Sequence, residues 1–382
     1  MVALDKRYAE DEVYMNQALC LAKEAGGAAA PNPMVGAVLV KDGQVIGQGW
    51  HVRAGEDHAE VMALKEAQKH GQRGGQGATI YVTLEPCNHY GKTPPCAKTL
   101  VEAGVKRVVI GTLDPNVEIA GGGKETLESS GVEVTVGVLE DQCKDLIAPF
   151  AKHIQTGLPL VTAKWAMTLD GQIATDTGDS RWVSSPESRQ AAHYLRHQVG
   201  AMLVGTGTML ADNPTLTARP EGPGVLEIVH QPLRVFLDAR GNVPPTAHIF
   251  TKAGGQVIAV TSETCPKERR DQWQAAGAEV WIVEENHKGL EVDQVLVKLG
   301  QRGVNHVLCE GGGFLHGTMI ERGLVDEVEI YLAPKVIGNA KGRAPVRNMN
   351  LSKMADAHGF VLKENKQIGP DLYLRFVPGE RG

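Results

Sequence analysis

His58, Glu60, Cys87 and Cys96 are the residues of this sequence whose types and order could do chemistry together. One imidazole and two thiolates are good ligands for a tetrahedral Zn²⁺ that keeps its fourth position open. Zinc brings the ionisation of water down to near pH 7, so hydroxide becomes available to attack an amidine-like carbon. Such a hydrolysis also needs a group that takes the water's proton and passes it to the ring nitrogen and the leaving amine. Glu60, two residues from the imidazole, can do this without ligating the metal. Helix N-termini favour thiolate over thiol, which suits a cysteine that opens a helix.

The elements that must position these groups can be read around them. His58-Ala59-Glu60 opens a predicted helix over 58–70, Pro86-Cys87 follows a strand over 79–84, and Cys96 opens a helix over 95–103. The H-A-E … P-C … C order is the signature of zinc-dependent nucleobase deaminases. Eight residues, NHYGKTPP, separate the cysteines here where that signature has two. Lengthening a loop costs little entropy, so the site reads as intact. A C-x8-C pair by itself fits a structural zinc site, or none; the helix-borne H-A-E and the P-C after a strand favour catalysis. His51 and His89 read as spare ligands or, in preference, as substrate contacts or bystanders near the pocket.

Around that core, residues 12–25 have helical spacing, and Asp42-Gly43 joins strands over 35–40 and 44–49 in the manner of a hairpin. With a strand over 106–112 and a helix–strand pair to about 139, the order is α-β-β-α-β-α-β-α-β, a three-layer sheet with helices on both faces. Residues 148–159 read as a junction, dividing the chain into domains at 1–150 and 151–382. The second half restarts with LVTAKWAM and continues through VGAMLVGT, LRVFLDA, QVIAVTS, a helix near 291–301, HVLCEGGG and EVEIYLAP. The expected class is therefore α/β throughout.

Bulk properties narrow the function. The 382 residues suit two domains, 42% are apolar and 22% charged, and no run is long enough to cross a bilayer. The start is polar with no signal-peptide core, and six scattered cysteines make no disulfide framework, so a cytoplasmic enzyme is expected. Through residue 150 there are 14 Lys and Arg against 20 Asp and Glu; the remainder has 25 of each, so the whole net charge of −6 lies in the first part. A polynucleotide binder shows a basic face. An acidic deaminase-like half instead implies a free small molecule, with no nucleic acid and no membrane as partner.

In the second half, Leu203–Thr208 is a strand running into a Gly-rich turn, and His306–Glu310 with Gly311-Gly312-Gly313 is another, backed by a helix over 314–322. Each alone reads as a tight turn; together they admit nucleotide binding, since glycines let backbone N–H groups approach a phosphate at a helix N-terminus. Neither is a full G-x-G-x-x-G, so a Rossmann domain is not expected.

The strings PNPMVGAV (31–38), Gly49-Trp50-His51, HAE, TLEPC (83–87) and GKTPPC (91–96) resemble the bifunctional riboflavin-biosynthesis deaminase/reductase family, whose own cysteine spacing is the eight seen here. The resemblance runs over nearly the whole chain. It implies a cytidine-deaminase-like three-layer domain followed by a dihydrofolate-reductase-like α/β domain, zinc and NADPH as cofactors, and a homo-oligomer, dimer or tetramer. It implies deamination of 2,5-diamino-6-ribosylamino-4(3H)-pyrimidinone 5′-phosphate, then reduction of the ribosyl to a ribityl chain. Asn32, His51, Asp114 and Asn116 would line the deaminase pocket. Ala166, Trp182, Thr208, Asp212 and the run Gly312, Gly313, Phe314, Leu315, His316, Gly317 and Thr318 would touch NADPH. Ser180, Arg196, Leu216, Arg219 and Glu310 would touch the reductase substrate, the arginines being suited to its phosphate. Lys164 is a candidate orienter of the reacting group, against the plainer reading of a strand-end surface charge. Two departures from the family stand out: Val117-Glu118-Ile119-Ala120 after Asp114-Pro115-Asn116, where Pro is usual, and Ala239 where relatives offer a hydroxyl to the cofactor. Two other readings stay open: a plain deaminase with a regulatory second domain, and a non-catalytic ligand sensor with structural zinc and NADP(H) bound as a signal, against which an intact Glu60 argues.

Overall fold

The computed structural model of the chain describes residues 2–71, 74–90, 94–116, 122–221, 229–338 and 343–379. Contacts divide it into two units, Met1–Gly157 and Leu158–Gly382. The first contains α1 (Val2–Ala22), β1 (Gly36–Lys41), β2 (Gln44–Trp50), α2 (Ala59–Lys69), β3 (Thr79–Leu84), α3 (Cys96–Glu102), β4 (Arg107–Thr112), α4 (Gly123–Ser129), β5 (Glu133–Val136) and α5 (Glu140–Thr156). Asp42 and Gly43, at φ 50° and 74°, make the left-handed two-residue turn that the hairpin between β1 and β2 requires.

The sheet runs β2-β1-β3-β4-β5. Its β1 is antiparallel to both neighbours, and β3, β4 and β5 are parallel. It follows that the end of β2, the start of β1 and the carboxyl ends of β3 and β4 meet at one edge. Period-2 alternation sends Ala37 and Leu39 toward Ala63 and Leu64 of α2 and Leu100 of α3. Val38 and Val40 face Met15, Ala18 and Leu19 of α1 with Cys143 and Leu146 of α5. α1 lies so close that a Cβ on Gly36 would sit 2.0 Å from the Ala18 carbonyl oxygen. The three layers expected from sequence are present. The junction expected over 148–159 is mostly helix: α5 runs through residue 150, with Pro149 inside it.

The second unit contains β6 (Leu160–Thr168), α6 (Pro186–Gln198), β7 (Ala201–Gly205), α7 (Thr206–Asp212), β8 (Leu233–Leu237), α8 (His248–Thr251), β9 (Val257–Thr261), α9 (Lys267–Ala275), β10 (Ala278–Ile282), the ribbon β11 (Glu285–Asn286) and β12 (Gly289–Leu290), α10 (Val292–Gln301), β13 (His306–Gly311), α11 (Gly313–Glu321), β14 (Glu327–Ala333), β15 (Phe360–Ile368) and β16 (Asp371–Pro378). Nine strands form one sheet in the order β10-β9-β8-β7-β13-β6-β14-β16-β15. It is parallel from β10 to β14, and β16 is antiparallel to both its neighbours. Central strands are apolar on both faces, as parallel strands covered by helices must be. On one face Val161, Ala163, Leu203, Val235 and Val307 pack on Val295 and Leu299 of α10. On the other, Met202, Val204, Phe236 and Leu308 pack with Leu195 of α6 and Trp273 of α9.

Candidate metal centre and nucleotide cavity

In the first unit the meeting edge of the strands carries the site. His58 caps α2, Glu60 lies in its first turn, Cys87 follows β3, and Cys96 opens α3. The ligand atoms of His58, Cys87 and Cys96 all lie within 4.8 Å of one another. His58 Nδ1 stands 3.5 Å from Cys87 Sγ and 3.3 Å from Cys96 Sγ, and the Cys96 backbone N–H donates to Cys87 Sγ at 3.4 Å. Hydrogen bonds from Cys96 and from His58 hold Cys87 well below the usual thiol range, so a thiolate already stands in the cluster. One imidazole nitrogen and two cysteine sulfurs, both deprotonated when metal binds, are the donor set that zinc takes. Glu60 is 3% exposed, and burial raises its carboxyl above the usual range.

Asn32, His51, His58, Glu60, Cys87, His89, Asp114 and Asn116 line one cavity of about 270 Å³. His51 Nδ1 lies 3.2 Å from the Asp57 carbonyl, which can only accept, so that nitrogen carries the proton. Its Nε2 therefore accepts from the Asn32 amide nitrogen at 3.0 Å. That fixes the Asn32 side chain, and burial keeps the ring neutral by lowering its pKa. Asp114 accepts from the Asn116 backbone N–H at 2.9 Å, and burial raises its carboxyl.

Sequence reasoning assigned no role to three wall residues. Glu85 accepts from the backbone N–H groups of Lys124 at 3.0 Å and Asp114 at 3.3 Å, tying the ends of β3 and β4 to the start of α4. Phe150 and Ile154 reach the cavity from α5. Glu85 stood inside a quoted motif; nothing local marks the α5 pair. Gly91-Lys92-Thr93 and Val117–Ala120 lie outside the described residues.

In the second unit a cavity of about 460 Å³ lies between the turns after β7, β8 and β13. Ser180, Thr208, Asp212, Gly312, Gly313, Phe314, Leu315 and Thr318 line it, as does Ala239. Gly312 opens α11 at φ 86°, where a side chain would be strained, and a Cβ there would crowd the Thr208 hydroxyl at 3.1 Å. Arg343, Arg347 and Lys288 also line the cavity and were not expected. A helix N-terminus, bare glycine backbone and three cations form a cradle that fits a dinucleotide pyrophosphate. At Ala239, which has no hydroxyl, the carbonyl accepts from Thr261, Ser262 and Thr264.

Four expected cofactor residues are not in that lining. His316 is buried, its ring nitrogens at 3.0 and 3.2 Å from the Pro345 and Cys309 carbonyls. Gly317 is a packing position, where a Cβ would meet the Arg347 carbonyl at 1.9 Å. Trp182 is 61% exposed beneath the Arg189 guanidinium, 4.4 Å from its ring. Ala166 sits on β6 opposite Tyr331.

Of the expected substrate residues, Ser180 lines the nucleotide cavity, whereas Arg196, Leu216, Arg219 and Glu310 lie together on the α6 side of the sheet. Arg196 clamps Glu310 with two hydrogen bonds, 3.0 and 2.6 Å, which keep that carboxyl far down, at about 2. The Arg196 fork is thus already taken, while Arg219, bonded to the Thr215 and Thr217 hydroxyls, stays exposed. His193, on the same face of α6, accepts from the Arg219 backbone N–H at 3.3 Å; burial and the two arginines bring it down to about 4. Leu216 is 2% exposed in the core, so only its backbone could meet a ligand. Lys164 is no strand-end surface charge. It lies within β6 with its ammonium 5.2 Å above the Tyr331 ring, and burial lowers its pKa.

Comparison with known proteins covers both units. Residues 159–374 match the RibD C-terminal domain, and residues 8–112 the cytidine and deoxycytidylate deaminase zinc-binding region. The chain is 40% identical over 368 residues to the riboflavin biosynthesis protein RibD of Bacillus amyloliquefaciens, covering 96% of each chain. It is 39% identical over 377 residues to that of Escherichia coli, covering 96% of this chain and 99% of the other. Among solved structures, Acinetobacter baumannii RibD superposes with a TM-score of 0.81 at 38% identity, over 98% of this chain and 100% of that one. A diaminohydroxyphosphoribosylaminopyrimidine deaminase/5-amino-6-(5-phosphoribosylamino)uracil reductase from Thermotoga maritima does so at 0.82 and 34%, with the same coverage. The chain belongs to the RibD family, the bifunctional deaminase/reductases of riboflavin biosynthesis, which join a zinc-binding deaminase domain to a reductase domain.

Proposed function

We propose that the chain removes the 2-amino group of 2,5-diamino-6-ribosylamino-4(3H)-pyrimidinone 5′-phosphate and then reduces the ribosyl to a ribityl chain, giving 5-amino-6-ribitylamino-uracil 5′-phosphate. The observation that carries this reading is the convergence of His58, Cys87, Cys96 and Glu60 on a cavity also walled by Asn32 and His51. His58, Cys87 and Cys96 hold zinc. When bound, zinc supplies the Lewis acidity that makes hydroxide available at neutral pH, and NADPH supplies a hydride. Glu60 takes one proton of the attacking water and delivers it to the ring nitrogen, then carries the hydroxyl proton of the adduct to the departing amine, which leaves as ammonia as the carbonyl forms. Asn32 and His51, with Asp114 and Asn116, hold the pyrimidine.

In the second unit, Thr208, Asp212 and the segment Gly312–Leu315 with Thr318 hold NADPH, and Ser180, on the wall of the same cavity, meets the substrate; Ala166, Trp182, His316 and Gly317 rest on the family resemblance alone. Arg219 meets the substrate phosphate, while Arg196 holds Glu310 toward the sugar. Lys164 steers the group that receives a proton when the sugar's C1 is reduced. The same resemblance supports a homo-oligomer, dimer or tetramer. Six free cysteines support a reducing, cytoplasmic setting.

The test gives the zinc-loaded protein this diamino substrate and follows ammonia and NADPH absorbance together. Ammonia without NADPH, and NADPH oxidation only after deamination, is the expected result. Ammonia with no NADPH consumed would leave a plain deaminase; no ammonia from protein shown to contain zinc would remove the first assignment.

A further inference from the structure

Three adjacent parallel strands, β13, β6 and β14, place Glu310, Lys164 and Glu329 in one row. The β6–β14 register pairs Lys164 directly with Glu329, and the β13–β6 register ends at Cys309 opposite Ala163, one residue before Glu310 and Lys164. Ala163, Cys309 and Val328 all face the α10–α11 core, so alternation turns Glu310, Lys164 and Glu329 to the opposite face together. Along this row, with Arg196 from α6 and Arg375 from β16, three cations and three carboxylates are gathered, largely withdrawn from water: Lys164, Arg196 and Arg375 with Glu310, Glu327 and Glu329. Arg196 forks onto Glu310, and Arg375 binds Glu327 at 3.1 Å. Glu329 stands in register with Lys164 on one side and with Arg375 on the other.

Glu329 is 7% exposed. A carboxylate withdrawn from water this far is expensive without a cation or hydrogen-bond donors beside it. Its surroundings are Lys164 from β6, Glu327 and Tyr331 on its own strand, and Arg375 and Tyr373 from β16. Around Lys164 stand Glu310, Arg196, Glu329 and the Tyr331 ring, itself packed on Tyr373 at 5.3 Å. Glu364 on β15 reaches Arg375 at 3.8 Å.

We propose that Glu329 is a positioning residue of the reductase site: from the strand beyond Lys164 it orients the ammonium and keeps it protonated, ready to donate toward the sugar. This rests on the reading that Lys164 faces the reacting sugar. Glu310 and Glu329 flank the lysine and both raise its affinity for a proton, Glu310 the more strongly. The Arg196 fork keeps Glu310 ionised, so Glu329 is the carboxylate of the two whose charge can change. Burial with Glu327 alongside raises Glu329 to about 7, so its charge changes where such enzymes work. Removing that negative charge lowers the lysine's affinity for its proton.

The experiment compares wild type, Glu329→Gln, Glu329→Asp and Lys164→Met, each supplied with the deaminated intermediate and NADPH from pH 6 to 10. Binding of NADPH alone is followed by fluorescence. The expected result for Glu329→Gln is an alkaline limb of kcat displaced by about one pH unit to lower pH, with NADPH affinity unchanged and Glu329→Asp partly restoring the wild-type profile. An unmoved limb in Glu329→Gln, while Lys164→Met loses reduction at least tenfold, overturns the role of Glu329. Full reductase activity in Lys164→Met overturns instead the reading that the lysine faces the sugar. Loss of NADPH affinity in Glu329→Gln with an unmoved limb assigns the residue to packing only and also overturns the proposal.

Discussion

At the scale of single residues, the deaminase site separates metal binding from proton transfer. His58, Cys87 and Cys96 present one nitrogen and two sulfurs within 4.8 Å of one another, while Glu60 lies buried in the first turn of α2. Burial makes the carboxyl hold its proton more tightly, which suits a group that must carry one between water and an amine. Glu60→Gln keeps the shape and removes the shuttle. Its deaminase rate is expected to fall by about 10²–10⁴-fold, with zinc content by metal analysis unchanged and reduction of the deaminated intermediate intact. A loss of zinc in this variant would mean that Glu60 supports the ligands instead. Cys96→Ser is the complementary change: it weakens a soft ligand, so zinc itself should be lost on dialysis against a chelator that leaves wild type loaded.

At the scale of elements, turns and helix starts do the positioning. The strand directions of the first sheet bring the end of β2, the start of β1 and the ends of β3 and β4 to one edge, and every metal-site residue hangs from that edge. In the second unit α11 begins at the cavity, and its Gly317 lies against the segment that carries Arg347. A Cβ at 317 would meet the Arg347 carbonyl at 1.9 Å, so Gly317→Ala must push that segment away from the helix. The expected cost is about 1–3 kcal/mol of stability, as for other overpacked sites. NADPH affinity, titrated by fluorescence, should weaken as Arg343 and Arg347 leave the cavity wall. Unchanged affinity would show that those arginines do not meet the cofactor.

At the scale of the whole molecule, the two units differ in how they meet acid. The second holds several histidines neutral by burial: His306 to about 4, its Nε2 at 2.9 Å from the Thr162 hydroxyl, and His193 and His230 in the same direction. A histidine whose folded pKa is depressed stabilises the fold above the unfolded value of 6.5, and that contribution is lost as pH falls toward the folded value. Between pH 7 and pH 5 the loss from His306 alone is about 2 kcal/mol. Melting followed by calorimetry with NADPH present and absent should therefore show the NADPH-responsive transition moving down with acid. A transition insensitive to pH over this range would contradict the buried neutral state.

The sequence by itself determined the elements of the first unit up to β5, the strands β6–β9, β13 and β14 of the second and the candidate metal ligands, because each has a local cause; β10, β15, β16, α6 and α9 appear only in the structure. Asp42-Gly43 fixes a hairpin, alternation fixes two-faced strands, and H-A-E, P-C and C stand at element ends whose spacing is local. The family could be read the same way, since its motifs are contiguous strings. Only the tertiary structure decided which distant residues share a cavity. α5 crosses the boundary drawn at 150 and brings Phe150 and Ile154 to the deaminase pocket, and no short-range pattern announces that a helix after a junction faces a site. Arg196 was legible as a cation suited to a phosphate, yet its fork belongs to Glu310, 114 residues away. Lys164 could be read from sequence either as an orienter of the reacting group or as a strand-end surface charge, because periodicity cannot tell which end of a buried strand is covered. The register of β6 with β13 and β14 sets the lysine between two glutamates and removes the surface-charge reading. Pairings of that kind depend on strand order, and strand order is set by packing over the whole domain.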